Sequence, residues 1–234
     1  MFLTRFAMNR QRRGARELLA SPFKMHAAIE SGFPPAAGPA VAQSPGRVLW
    51  RIDPTERATL LYVSSPTPPD FSHLVDQAGW PASGQSWETR DLTPLLDLLE
   101  KGQIWRFRLT ANPTRRVLED KAKKLGADGE GRNVVGKRMA HLTAQQQQDW
   151  LLSKTQGLGF SIPDDDGEPQ LMVTSRARLR FEHGKGRPVT LTAVGYEGVL
   201  AVDDPQALRQ ALIGGIGAGK AFGCGLMTLA KPPG

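Results

Sequence analysis

Residues 2–8, Phe-Leu-Thr-Arg-Phe-Ala-Met, set the first element of the fold. Phenylalanine, threonine, phenylalanine and methionine fill the even positions, and this period of two predicts an opening β-strand. Ser21 followed by Pro22 predicts the start of a helix, because serine is a good N-cap and proline suits the first helical position. The other elements predicted up to residue 90 are helices at 14–19, 23–29 and 70–77 and strands at 47–52, 58–63 and 85–90.

The same order of elements restarts after a leucine-rich connector. Thr143, with Gln146 three residues later, predicts a capping box at the start of a helix. Each half of the chain therefore has the order β-α-β-β-α-β, which is the ferredoxin-like unit. The elements predicted in the second half are strands at 104–109, 171–181, 189–200 and 226–230 and helices at 142–154 and 205–213. We predict an α+β protein with two tandem ferredoxin-like (RRM-like) domains, residues 1–90 and 103–234, and a linker at 91–102.

Positive charge is concentrated in three segments of this 234-residue chain. The formal net charge is +7, but residues 1–16, 101–140 and 176–187 carry +5, +7 and +4, which leaves −9 elsewhere. One such segment is usually a solvated face, whereas three on an otherwise acidic chain favour phosphate contacts. The candidate phosphate-binding side chains in them are Arg12, Arg13, Arg16, Arg106, Arg108, Arg176, Arg178, Arg180, Lys185 and Arg187.

The residues that bind metals and form disulfides are sparse. Cys224 is the single cysteine, which excludes an intrachain disulfide and a cysteine-rich zinc site and suits a reducing compartment. The four histidines are not at metal-ligand spacing, and the acidic run 164–168 is predicted to be a solvated turn. We expect no metal and no other cofactor. No apolar run is long enough for a membrane span and no secretory signal pattern opens the chain, so a cytoplasmic location is expected.

Residues 214–221, Gly-Gly-Ile-Gly-Ala-Gly-Lys-Ala, almost match a phosphate-binding P-loop. Ala221 lacks the hydroxyl that would hold magnesium, and only fourteen residues follow Lys220, so nucleotide hydrolysis is not expected. A helix end followed by a turn with positive φ is the structural explanation. Gly217 and Gly219 would also let the backbone approach an RNA phosphate or another helix closely.

The glycine-rich stretch 215–230 resembles the signature of CRISPR repeat-processing endoribonucleases. Four more stretches, in the same order and at similar spacing, resemble the CasE (Cse3) branch of the type I-E system. They are Met-Phe-Leu-Thr-Arg-Phe at 1–6 with Asn9 and Arg10, Ser-Pro-Phe-Lys-Met-His at 21–26, Trp-Arg-Phe-Arg-Leu-Thr-Ala-Asn-Pro at 105–113, and Tyr-Glu-Gly at 196–198.

The resemblance implies a metal-independent endoribonuclease that binds the stem-loop of CRISPR repeat RNA and cleaves precursor CRISPR RNA at the 3′ base of the stem. The 2′-hydroxyl would attack the adjacent phosphate, giving a 2′,3′-cyclic phosphate and a 5′-hydroxyl. His26 falls at the position of the family's catalytic histidine, and a positioned imidazole can transfer the necessary proton. The guide RNA would stay with other protein subunits in the antiviral surveillance complex. No membrane contact and no direct DNA contact are expected.

One position departs from the family pattern. Several relatives have a tyrosine three residues before the histidine, where this chain has Phe23. Ser21, Lys24 and Lys220 are the candidates for an assisting role, and Phe23 is interpreted as ordinary core packing. The alternative function is a catalytically weak or inactive RNA-binding structural subunit of the same complex.

Overall fold

The computed structural model describes residues 1–34, 46–55, 58–83, 87–117, 137–183 and 187–232, with the backbone alone at 83, 116, 117, 137, 138, 183 and 187. Lys185, one of the candidate phosphate-binding residues, lies outside these ranges.

The first domain is a four-stranded antiparallel sheet covered on one face by helices. The strand order is β2-β3-β1-β4, which confirms the ferredoxin-like topology predicted for this half. Its elements are β1 (Phe2–Met8), α1 (Arg13–Ala20), α2 (Pro22–Glu30), β2 (Leu49–Pro54), β3 (Thr59–Ser65), α3 (Ser72–Ala78) and β4 (Trp87–Asp91). The short helix α4 (Thr93–Asp97) lies in the predicted linker.

The second domain repeats that topology with the order β11-β12-β5-β13. The predicted capping box is present, although the helix begins at Ala144 and not at Leu142. Leu96 and Leu99 from the predicted linker are buried in this domain's core. The elements are β5 (Ile104–Ala111), β6 (Thr114–Val117), β7 (Lys137–Ala140), α5 (Ala144–Thr155), β8 (Phe160–Ser161), β9 (Asp164–Asp165), β10 (Glu168–Pro169), β11 (Leu171–His183), β12 (Arg187–Val202), α6 (Pro205–Gly214) and β13 (Met227–Ala230).

The two sheets turn their helix-free faces toward a shared cleft. Alternation along β5 buries Trp105, Phe107 and Leu109 in the core and points Arg106 and Arg108 the other way, as a period of two requires. A cavity of about 330 Å³ lies between this face and Leu3 and Tyr62 of the first sheet.

A buried ion pair fastens the domains beside the cleft. Arg51 is 2% exposed and donates to Asp53 twice, from Nε to Oδ1 at 2.6 Å and from Nη2 to Oδ2 at 2.8 Å. Its guanidinium also donates to the carbonyls of Arg108, at 2.8 Å, and Leu226, at 3.1 Å, and to Oγ1 of Thr228 at 3.0 Å. The guanidinium of the first domain thus hydrogen-bonds to two strands of the second.

Candidate catalytic site and RNA-binding surface

Helix α2 presents His26 and Phe23 on its outer face. Ser21 is the N-cap, and its Oγ accepts a hydrogen bond from the backbone N–H of Lys24 at 3.3 Å. Met25 and Ile29 are buried in the first domain's core. His26 and Phe23, one helical turn apart, are 31% and 38% exposed. The interpretation of Phe23 as core packing is therefore wrong, because its ring lies on the outer face of the helix.

The same helix contacts the second domain. It packs against the 3-10 turn Lys220–Phe222 and against β11. The Trp50 indole donates to the carbonyl of Ala221 at 3.2 Å, and an apolar cavity of about 170 Å³ separates Met25 from Phe222. His26 is therefore carried by a helix at the seam between the two domains, beside the glycine-rich stretch.

Close packing accounts for the glycines themselves. Gly219 has φ +80°, and a Cβ there would lie 2.4 Å from Cδ1 of Leu191. A Cβ on Gly217 would lie 3.1 Å from the Trp150 ring. A side chain at either position would therefore meet the protein's own side chains, as the structural explanation requires, and RNA contact by the two glycines stays a prediction.

The surroundings of the His26 ring are asymmetric. Nδ1 is buried and has no hydrogen-bond partner among the described residues. The nearest acid is Glu30, whose Oε1 lies 3.7 Å from Nδ1. That distance is beyond a hydrogen bond but within range of an ion pair.

Two of the three candidate assisting residues are engaged elsewhere. The Ser21 hydroxyl serves as the N-cap acceptor. The Lys24 ammonium lies 3.8 Å from Oε2 of Glu17. The other oxygen of that carboxylate, Oε1, accepts from Nε of Arg13 at 2.8 Å. These hydrogen bonds and charges, Arg13 first, lower the pKa of the Glu17 carboxyl.

Lys220 braces the glycine-rich stretch. Its Nζ donates to the carbonyl of Gly214, at the end of α6, at 2.6 Å. Partial burial, with the nearby charge of Arg47 as a smaller cause, lowers the pKa of Lys220. A lysine with a lowered pKa can release a proton more readily, which keeps Lys220 among the candidate assisting residues although its ammonium is bound to the Gly214 carbonyl.

The N-terminal arginines brace the start of α1. Arg12 donates to the carbonyl of Asp76, and Nη1 of Arg16 donates to the carbonyl of Gln11 at 2.9 Å. Arg13, with 88% of its side chain exposed, pairs with Glu17. The ion pairs of Glu17 link Arg13 to Lys24 and so bring this basic group to the first turn of α2.

The β11–β12 hairpin has two different faces. Arg176, Arg178 and Arg180 are exposed on one face, and Nη1 of Arg176 also donates to the carbonyl of Leu142 at 2.6 Å. Leu179 on the opposite face packs with Cys224 and Phe222, and this apolar face meets α2. Backbone pairing puts Arg187 opposite His183 at the end of the hairpin. The arginines thus point away from the helix that carries His26.

Arg106 and Arg108 share a face as predicted, but their surroundings differ. Nη2 of Arg108 lies 2.7 Å from Oε1 of Glu197, and Nη1 lies 3.3 Å from Oδ2 of Asp53. Burial opposes the charge, yet these carboxylates outweigh it and raise the pKa of Arg108. Arg108 therefore takes part in the domain interface while its side chain stays 45% exposed, and Arg106 is exposed in the same cleft.

Sequence reasoning missed the Arg51–Asp53 pair. The carbonyls of Arg108 and Leu226, to which Arg51 also donates, are distant in the chain. Sequence reasoning also missed Glu30, for which the i, i+4 spacing from His26 was an available signal. Tyr196, quoted above for its family pattern, donates from its hydroxyl to the carbonyl of Gln147 at 3.1 Å and is buried.

The described part of the chain contains neither a candidate membrane span nor a candidate metal site. None of its helices is long and apolar enough to cross a membrane. Within the same residues, no three histidine, cysteine or acidic side chains come together as a metal site would require.

Comparison with known proteins identifies the family. The model of a family described as CRISPR associated protein matches residues 1–231. The CRISPR-associated endoribonuclease Cse3 of Thermus thermophilus is 30% identical, over 98% of this chain and 100% of that protein. The Cascade subunit CasE of Escherichia coli is 29% identical, over 78% of this chain and 88% of that one. A structure of Cse3 bound to 19 nt RNA superposes with a TM-score of 0.76 at 29% identity, covering 98% and 100% of the two chains. The chain belongs to the Cse3/CasE family of CRISPR-associated endoribonucleases.

Proposed function

We propose that this protein is a metal-independent endoribonuclease that binds the stem-loop of CRISPR repeat RNA and cuts at the 3′ base of the stem. The observation that carries the proposal is the half-exposed His26 at the domain seam, beside the glycine-rich turn. Its relatives support the substrate class, since one is named an endoribonuclease and was solved with RNA bound.

His26 acts as the general base. Nε2 takes the proton of the 2′-hydroxyl, O2′ attacks the adjacent phosphorus, and the bond from phosphorus to the 5′-oxygen breaks. The departing 5′-oxygen takes a proton from Lys220 or from water. The products are a 2′,3′-cyclic phosphate and a 5′-hydroxyl.

The RNA stem binds along the exposed face of β11. Arg178 and Arg180 contact successive phosphates there, and the groove geometry of A-form RNA favours recognition of shape over base edges. The cleaved guide RNA stays bound within a surveillance complex with other subunits, as the name of the Cascade relative suggests.

Cleavage of a repeat RNA in EDTA tests the proposal. Wild-type protein should cut, His26→Ala should not, and a 2′-deoxy substitution at the scissile nucleotide should block the cut. His141→Ala is the matched control, since this histidine precedes α5 in the second domain. Activity lost on chelation, or retained by His26→Ala, would contradict the mechanism.

One observation favours a second candidate function. Phe23 offers no hydroxyl next to His26, as expected of an RNA-binding structural subunit with weak or no catalysis. That function predicts tight repeat binding with uncut RNA in the same assay.

A further inference from the structure

Glu30 is the last residue of α2 and lies one helical turn beyond His26. Its carboxylate approaches Nδ1 to 3.7 Å, and 48% of its side chain is exposed. The nitrogen that it approaches is the buried one that lacks a hydrogen-bond partner. Buried polar nitrogens usually have a hydrogen-bond partner, so the nearby Glu30 carboxylate is the candidate partner for Nδ1.

Helix stability does not explain an acid at this position. The carboxyl end of a helix carries partial negative charge, and a carboxylate there is electrostatically unfavourable. The backbone around it is nevertheless well held, because Nε2 of His73 hydrogen-bonds to the carbonyl of Ala28 at 2.8 Å and the Ser31 hydroxyl donates to that of Ala27 at 2.9 Å. With Ile29 buried as well, rotation of the Glu30 side chain alone can close the remaining gap to Nδ1.

We propose that Glu30 is a positioning residue that orients His26 and selects its tautomer, an inference that rests on the proposed function. The carboxylate accepts the Nδ1–H hydrogen bond, which leaves the Nε2 lone pair free to take the 2′-hydroxyl proton. The proton stays on Nδ1 throughout, and Glu30 stabilises the imidazolium that forms at Nε2. An acid behind a catalytic histidine has this role in hydrolytic triads.

The two lysines near α2 bind other groups and not Glu30. Lys24, on the first turn of the helix, is paired with Glu17. Lys220, on the turn that packs against α2, donates to Gly214. Among the described residues, the ion pair of Glu30 is the one with His26.

Nitrogen-15 NMR of histidine-labelled protein without RNA reads the tautomer directly. The chain has four histidines, and loss of one signal in His26→Ala assigns the resonance. We expect wild-type His26 to carry its proton on Nδ1, Glu30→Gln to keep that tautomer through its amide oxygen, and Glu30→Ala to shift toward the Nε2–H form. A wild-type Nε2–H tautomer, or one that Glu30→Ala leaves unchanged, overturns the inference.

Single-turnover cleavage supplies the second readout. Glu30→Ala should slow the cut by about tenfold or more, by analogy with carboxylates that orient metal-bound histidines, with unchanged RNA affinity. Glu30→Gln should lose less. Glu88→Gln is the control, since it removes an equally exposed carboxylate, 48%, from an ion pair with Arg5.

The two proposals fail in different ways. If His26→Ala still cuts, the proposed function fails, while the NMR result still reports whether Glu30 pairs with Nδ1. If His26→Ala is inactive but Glu30→Ala keeps both the wild-type rate and tautomer, only the role of Glu30 is wrong.

Discussion

Arg51 and Asp53 form a bidentate ion pair, with Nε–Oδ1 and Nη2–Oδ2 distances of 2.6 and 2.8 Å, at the junction of the two domains. Both side chains are almost fully buried, at 2% and 7% exposure. Because the same guanidinium also reaches the carbonyls of Arg108 and Leu226, the pair fixes how the second sheet sits on the first.

Asp53→Ala should destabilise the protein strongly, by about 3–5 kcal/mol, because it leaves the buried Arg51 charge uncompensated. Replacing both partners, as in Arg51→Met with Asp53→Leu, should cost less than the single change for the same reason. Urea unfolding of the three proteins measures the difference. A single variant as stable as wild type would refute the role of this pair.

Arg108→Ala should lower stability while leaving RNA affinity nearly unchanged, since its charge is matched by Glu197 and Asp53. Arg178→Ala should do the reverse, because that side chain is exposed on the hairpin. Thermal unfolding and RNA titration of each variant give both quantities. A large loss of RNA affinity in Arg108→Ala would contradict this prediction and show that Arg108 contacts the RNA.

The double variant Arg178→Ala, Arg180→Ala should weaken RNA binding and flatten its salt dependence. Each lost phosphate contact should reduce the slope of log affinity against log salt by roughly 0.7–0.9. Arg90→Ala, an exposed arginine on β4, is the matched control. An unchanged slope in the double variant would place the RNA elsewhere.

Phe23→Tyr should raise the cleavage rate by about tenfold, a modest part of what a positioned acid or base contributes. The hydroxyl would be added beside His26 on an already exposed ring. Single-turnover cleavage by this variant and by Phe23→Leu measures the effect. Equal rates in all three proteins would show that the tyrosine is dispensable.

Cys224 should resist thiol reagents in the native protein at pH 8. Burial raises the pKa of its thiol to about 12, so neither access nor ionisation favours reaction. The unfolded thiol ionises first, which should lower the stability as the pH rises from about 9 toward 12. Iodoacetamide labelling followed by mass measurement should show modification only after denaturation, and rapid native labelling would contradict this.

Local patterns accounted for the fold. The alternation along residues 2–8, the Ser21 cap and the Thr143 capping box all concern residues close in the chain, and each is present in the structure. The ion pairs of Arg108 could not be predicted in this way, because Asp53 and Glu197 lie 55 and 89 positions away in the chain. For the same reason the local pattern could not show that distant Leu191 and Trp150 lie beside the glycines of the 214–221 stretch.

The two-faced β11–β12 hairpin bears on where the proposed cut falls. Its arginines point to one side and α2 packs on the other, so an RNA bound to the arginines must pass around the hairpin to reach His26. Because β11 and β12 pair along the hairpin, its two faces stay a constant distance apart, and the detour therefore has a fixed length. The hairpin would thus set the number of nucleotides between the stem contacts and the scissile phosphate, independently of the bases that lie between.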